Sequence, residues 1–400
     1  MTSPLESDSP PYPGDPSALD RTFAVPYTHR VRFTRDVFAE ANPVLRKVLA
    51  EGRDSTGRAV VFVDDAVADA WPKLETAITR YAAAHADLMT LAGPIRRVPG
   101  GEIVKNDPDH VRRMIEAIDV EGICRHSFVF AVGGGAVLDA VGYAAATAHR
   151  GVRLIRFPTT TLAQGDAGIG VKNGINAHGK KNFLGAFNVP CAVLNDAAFL
   201  TTLSDRDWRA GLSEAVKVAL LKDAPFYRRI ANAAARLRRR DEAAADPIIH
   251  RSAELHLDHI AFGGDPFERE NARPLDFGHW SAHKMEQMTN FELRHGEAVA
   301  IGIALDTVYS VLTKRLKPSD AEDILDTLTA IGFSLTHPCL ADRGTLLDGL
   351  EEFREHLGGR LTITLLEGIG RDVDVHHIDR DTMCAAIDHL VARAATRHAG

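Results

Sequence analysis

The chain has 400 residues, 45% hydrophobic and 25% charged, and its 47 Lys and Arg against 54 Asp and Glu give a net charge of −7. A composition so close to the globular average excludes a disordered, collagen-like or fibrous protein, and the acidic balance argues against nucleic acid as the main partner. No run approaches the roughly 18 consecutive apolar residues of a membrane helix, so no membrane partner is expected, and the length makes two domains the starting expectation.

Residues 1–20 (MTSPLESDSPPYPGDPSALD) are acidic and rich in Pro and Ser. Such a stretch cannot bury enough apolar surface to offset its ordering entropy, and reads as a disordered tail. It lacks the basic start and apolar run of a signal peptide, which predicts a cytoplasmic protein. Cys124, Cys191, Cys339 and Cys384 form no CxxC pair, so buried free thiols in a reducing compartment are expected.

From about 58 to 197 short apolar runs at 59–63, 127–132, 152–157 and 192–194 alternate with helical stretches such as 109–120 and 136–148. Continuous apolar character over four to six residues is that of strands buried on both faces, and strand–helix alternation predicts a parallel sheet covered by helices. After about 200 the strand signal nearly vanishes. Residues 204–222, 226–239, 248–261, 279–289, 295–315 and 319–331 read as helices, with one strand-like alternation at 361–366. The prediction is an α/β nucleotide-binding domain over 21–197 and a mostly helical, metal- and substrate-binding domain over 198–400. Ligands then belong in the cleft between them, at the carboxyl ends of the strands.

Gly133, Gly134 and Gly135 follow the strand at 127–132 and open the next helix, with Asp139 one turn in. Bare backbone at a helix N-terminus suits a phosphate or a dinucleotide. The pattern is neither GxGxxG nor a Walker loop, and a tight strand-to-helix turn would look the same. The stretch 156–185 combines Thr159, Thr160, Asp166, Lys172, Asn173, Lys180, Lys181 and Asn182 with six glycines. A solvated surface loop could be this polar, but three lysines among so many glycines fit better a site for a phosphorylated polyol, since ammonium groups complement phosphate and amides complement hydroxyls.

Glu214 and Lys217 lie at i, i+3, His279 and His283 at i, i+4, and His295 opens a helix. Two imidazoles and a carboxylate converging from helix faces make a zinc site with an open position. In a chain with 18 histidines they could equally be unrelated helix residues. HExxH is absent.

Five ordered blocks, GGGAVLDAVGYAAATAHRGVRLIRFPTTTLAQGDAGIGVKNGIN, GKKNFLGAF, LSEAVKVALL, FGHWSAHKME and RHGEAVAIGIAL, resemble the sugar phosphate cyclases, of which dehydroquinate synthase is the best-known member. The resemblance runs from about 58 to 370. It implies a dimeric enzyme that uses NAD and a divalent metal, zinc or cobalt, with Glu214, His279 and His295 as the metal ligands. Asp64, Gly134, Gly135, Asp139, Thr159 and Thr160 would hold NAD, with Phe199, Thr202 and Leu203 near its adenine end. The GGEIVK block would set Glu102 and Lys105 beside the cofactor. Asp166, Lys172, Lys181, Asn182, Lys217, Arg273 and His283 would face the substrate, with Asp166, Lys172, Lys217 and His283 the catalytic candidates and Lys172, Lys181 and Asp166 also touching NAD. Arg150 matches an arginine that reaches the substrate phosphate of the neighbouring subunit.

Three departures bear on the substrate. Dehydroquinate synthases carry a lysine before the block that here reads NARPLDFGHW, yet 252–267 has no Lys or Arg, and Asp258 falls about where the lysine belongs. Arg273 is displaced by about one position, and Asp276 replaces an asparagine. The DKK element before the last strand is replaced by FREH, with Arg354 and His356. Losing cations and gaining acids disfavours a substrate carboxylate, at about 1–3 kcal/mol per lost charge-assisted bond. The resemblance therefore points to sedoheptulose 7-phosphate, closed to a C7 cyclitol of the 2-epi-5-epi-valiolone or 2-epi-valiolone type. The alternatives are a 3-dehydroquinate synthase, a glycerol-type NAD- and metal-dependent dehydrogenase, and a catalytically dead binding protein.

Overall fold

A computed structural model describes residues 19–51, 56–178, 180–267, 275–356 and 359–398. Arg273, and the expected tail apart from Leu19 and Asp20, lie outside the described residues, as does the side chain of His356.

Seven strands make one parallel sheet: β1 Val31–Thr34, β2 Gly57–Asp64, β3 Met89–Leu91, β4 Arg96–Val98, β5 Phe128–Gly133, β6 Arg153–Pro158 and β9 Ala192–Asp196, in the order β1-β9-β6-β5-β2-β3, with β4 also on β2. The central strands are buried along almost their whole length, which is why their apolar runs were legible. Helix Gly135–Thr147 covers one face and is apolar nearly all round, because a second layer lies on it.

That layer is the hairpin β7 Lys172–Ala177 and β8 Lys180–Phe187. The strands expected from the sequence did not include this hairpin. The segment 156–185 holds the end of β6, a π-turn at Ala163–Ala167 and this hairpin. Most of β8 is exposed, so it lacks the buried-strand pattern. Helix and hairpin approach so closely that a Cβ on Gly142 would fall 1.9 Å from Asn173 Oδ1, which glycine alone avoids.

The buried residues of the sheet layers run from Val37 to Phe199, and those of the helical layers from Leu200 to Leu390. The predicted helix 204–222 is two, Asp205–Ala210 and Leu212–Lys222, split at Gly211, a residue with weak helix preference. The next helices are Ala224–Arg238, Glu242–Phe262, His279–Met288, His295–Leu312 and Pro318–Ile331. The expected strand pairs as β10 Ile363–Gly368 with β11 Arg371–Val375. Among the described residues no helix is long and apolar enough to cross a membrane. The four cysteines are free, but none is buried: Cys124 is exposed and the others are half-buried.

Candidate active site

Glu214 sits in the first turn of helix Leu212–Lys222, and His279 and His295 each open a helix. Their three ligating atoms lie within 4.8 Å of one another. Glu214 Oε1 is 3.5 Å from His279 Nε2 and 3.3 Å from His295 Nε2. Ligand atoms at about 2.0–2.1 Å around a tetrahedral ion are about 3.4 Å apart, so these separations match a shared cation. Both carboxylate oxygens of Glu214 are buried without a hydrogen bond, although Lys217 Nζ lies 2.5 Å from Oε2. Burial alone would raise this carboxyl, but Lys217 and His279 outweigh it and hold it well below its usual range. An ionised, under-coordinated carboxylate facing two imidazole nitrogens fits a divalent ion.

The outer contacts set the ring faces. His279 Nδ1 is 3.1 Å from the Phe277 carbonyl, and His295 Nδ1 is 3.1 Å from Glu286 Oε2. Each contact puts the proton on Nδ1 and leaves Nε2 as the ligating atom. Glu286 was not singled out in the sequence. Its signal is spacing, seven residues after His279 and three after His283 on one helix. His283, Glu286 and His295 form a second cluster, but Glu286 is also engaged by Lys181, which leaves the first cluster better suited to an ion. Burial and then His279 hold His283 well below its ordinary value, so its imidazole is uncharged.

Gly278, which leads into His279, has φ of 76°, a left-handed conformation that favours glycine. The buried Asp306 fixes it, accepting from Gly278 N at 2.9 Å and from Trp280 Nε1 at 3.0 Å. Burial pushes the Asp306 carboxyl up to about 7, against the two donors that favour its ionised form. An unfolded aspartate loses its proton near pH 4, so between about pH 4 and 7 the folded protein keeps a proton the unfolded chain has released. Stability therefore falls as pH rises through that window. Asp306→Asn is expected to remove this contribution. In urea unfolding from pH 4.5 to 7.5, the wild-type stability relative to the variant should fall by on the order of 3 kcal/mol; parallel curves would count against it.

Around the cluster the predicted polar residues come together in a row of ion pairs. Lys181 Nζ is 3.0 Å from Glu286 Oε1 and 3.4 Å from Glu102 Oε1. Burial would lower this ammonium, but Glu286 and Glu102 outweigh burial and hold it above its usual value. Lys105 Nζ donates to Asp139 at 2.7 Å and to Asn182 at 2.5 Å. Lys217 faces Glu214, with the charges of Asp166 and Asp276 further supporting its ammonium against burial. Lys172 is exposed at the start of β7.

At the carboxyl ends of the strands, Asp64 caps helix Asp65–Ala70, accepting from Ala66 N at 2.9 Å. Burial is the larger influence and raises its carboxyl. Gly134 is the N-cap of helix Gly135–Thr147. A Cβ on Gly134 would meet Thr160 Cγ2 at 3.3 Å, and one on Gly135 would meet Ala167 at 3.2 Å. Side chains there would fill the space before the helix N-terminus. The buried Thr159 Oγ1 has no hydrogen bond. Bare backbone N–H groups, an acid on the neighbouring strand and a spare hydroxyl form a cradle suited to a dinucleotide.

Six predicted residues stand apart. Asp258 is exposed; His256, two residues earlier and on another face of the helix, enters the site instead, its Nδ1 3.0 Å from Asp166 Oδ1. Positions two apart on a helix do not share a face. Arg354 is engaged by Glu351 and the Gly359 carbonyl at the surface. Phe199 is fully buried against Trp71, so its ring packs the core, while Thr202 donates to the Phe199 carbonyl and Leu203 packs against the helical core. Arg150 is exposed in the turn that ends helix Gly135–Thr147, about 20 Å of helix from the glycine loop. Arg156 was also missed: it is completely buried, and an arginine inside an apolar strand was the available signal.

Residues 95–210 match the family model of the 3-dehydroquinate synthase N-terminal domain, and 211–350 that of the C-terminal domain. The chain is 32% identical over 379 residues to a 2-epi-5-epi-valiolone synthase of Streptomyces glaucescens, covering 92% of each chain. It is 32% identical over 312 residues to a 3-dehydroquinate synthase of Jannaschia sp. (strain CCS1), covering 76% of this chain and 84% of that one. The fold superposes with a TM-score of 0.84 and 28% identity on ValA, a 2-epi-5-epi-valiolone synthase of Streptomyces hygroscopicus subsp. jinggangensis 5008 solved with NAD+ and Zn2+ bound, over 94% of this chain and 100% of that one.

Proposed function

This chain belongs to the dehydroquinate synthase-like sugar phosphate cyclases, and within that family we propose that it closes sedoheptulose 7-phosphate to a C7 cyclitol of the 2-epi-5-epi-valiolone or 2-epi-valiolone type, releasing inorganic phosphate. The carrying observation is the wall beside Glu214 and Lys217. Asp276 contributes negative charge there, and helix Glu242–Phe262 turns Ser252 and His256 to it, with no Lys or Arg anywhere in 252–267. A substrate carboxylate would meet no Lys or Arg from residues 252–267 and would face the charge of Asp276, whereas hydroxyls can donate to an ionised acid. The alignment with a valiolone synthase over 92% of both chains supports the same choice.

Glu214, His279 and His295 would hold a divalent metal, for which we favour zinc, and Asp64, Gly134, Gly135, Thr159 and Thr160 would hold NAD. Together these groups would supply a recyclable hydride acceptor and a positive charge to polarise the carbinol and the ketone derived from it. Lys172, Lys181, Asn182 and Lys217 would bind phosphate and hydroxyl oxygens and orient the ring. The uncharged His283 can accept a proton at a ring nitrogen. The overall course is transient oxidation, β-elimination of phosphate, reduction, ring opening and intramolecular aldol closure, with no net oxidation. We further propose a homodimer in which Arg150, remote from its own glycine loop, reaches the phosphate held by the second copy.

Purified protein with NAD, zinc and sedoheptulose 7-phosphate is expected to release one phosphate per cyclitol, read by product mass, without accumulating NADH. Its kcat/KM for this sugar should exceed that for the sugar-acid phosphate precursor of dehydroquinate by roughly 100-fold or more. Preference for the sugar acid would restore a 3-dehydroquinate synthase, and stoichiometric NADH a dehydrogenase.

A further inference from the structure

Helix Glu242–Phe262 is tied to the π-turn Ala163–Ala167 by two side chains one helical turn apart. Ser252 Oγ donates to the Gly165 carbonyl at 3.1 Å, and His256 Nδ1 meets Asp166 Oδ1 at 3.0 Å. Both residues line a narrow cavity with Asp166, Glu214, Lys217 and Leu275. A carboxylate only accepts, so the His256 proton resides on Nδ1 and Nε2 keeps a lone pair. Among the described residues no hydrogen bond or ion pair engages that Nε2. Burial, with the ammonium groups of Lys217 and Lys172 adding to it, keeps the ring uncharged despite Asp166.

We propose that His256 is a substrate-specificity residue, whose Nε2 lone pair, aimed by the contact with Asp166, accepts a hydrogen bond from a hydroxyl at the uncharged polyol end of the sugar phosphate. A carboxylate in that place would set its own lone pairs against an acceptor, which repels it. The inference rests on the proposed function and assigns its selectivity to one atom.

The test compares kcat and KM for sedoheptulose 7-phosphate and for the sugar-acid phosphate in wild type, His256→Gln and His256→Lys. Glutamine keeps an acceptor and is expected to stay within roughly 5-fold of wild type on the heptulose. Lysine offers only donors and is expected to shift the kcat/KM ratio toward the sugar acid by roughly 100-fold, chiefly through KM. If the lysine variant lacks a cooperative thermal transition, His256→Leu replaces it. Leucine should cost the heptulose roughly 30-fold and leave the sugar acid unchanged. Equal losses on both substrates in every variant would overturn the role of His256 while leaving the heptulose reading intact. A wild-type preference for the sugar acid would overturn that reading, and the inference with it.

Discussion

Glu214→Gln is expected to leave the purified protein without bound divalent metal and to lower kcat/KM for its sugar phosphate by roughly 10³-fold or more. Glutamine keeps the shape but loses the charge, and its amide nitrogen can only donate. It would face the ammonium of Lys217, 2.5 Å from the wild-type carboxylate, or the Nε2 atoms of His279 and His295 at 3.3–3.5 Å. Lys217 would then be a buried cation without its partner, at a cost of about 3–5 kcal/mol. Metal content by plasma emission after gel filtration, turnover, and thermal unfolding with and without added zinc check this. Retention of stoichiometric metal with turnover within 10-fold of wild type would remove Glu214 from the ligand set.

The second large effect lies away from the chemistry. Arg156→Met is expected to cost about 3–5 kcal/mol of stability, among the largest effects of single substitutions. The Arg156 guanidinium is fully buried on β6. It donates to the carbonyls of Gly168 at 3.0 Å, Gly170 at 2.6 Å and Lys172 at 3.0 Å, and to Asn173 Oδ1 at 2.6 Å. Burial pushes it down to about 10, so it remains a cation at neutral pH. Methionine fills much of the volume but leaves those acceptors unsatisfied at about 1–3 kcal/mol each, with local relaxation recovering part. The segment it fastens carries Asp166 and Lys172, so KM for the sugar phosphate should rise as well. Urea unfolding measures the first and steady-state kinetics the second; a loss under 1 kcal/mol would show that the guanidinium is dispensable.

The doubly buried strands β2, β5, β6 and β9 were legible because most of their positions are buried and apolar, which writes burial directly into composition. β7 and β8 were not: one face of the hairpin is open, and Asn173 on the other meets the close approach at Gly142. Helix spacing left Glu214, His279 and His295 open as a site or as unrelated residues, and it was the resemblance to the sugar phosphate cyclases that singled them out. Glu286 and His256 act through partners distant in the chain, Lys181 and Asp166, and a lone Glu or His on a helix carries no local mark of such a partner. Asp258 illustrates the converse. Counting residues back from the histidine block located the correct helix, but the 100° advance per residue decides which side chain faces inward, and an offset of two is enough to exchange Asp258 for His256.

The run of polar contacts that begins at His295 does not stop at the metal cluster. It passes through Glu286 and Lys181 to Glu102, crosses by Asn176 to the hairpin at Asn182, and ends through Lys105 on Asp139, in the helix whose first N–H groups close the glycine loop. Thermodynamic reciprocity makes this arrangement symmetrical: whatever factor the ion adds to the affinity for the dinucleotide, the dinucleotide returns to the ion. Order of loading is then a matter of rates alone. Lys181 and Lys105 sit inside this one run of contacts between the two cradles, so a substitution at either lysine acts on a support common to both.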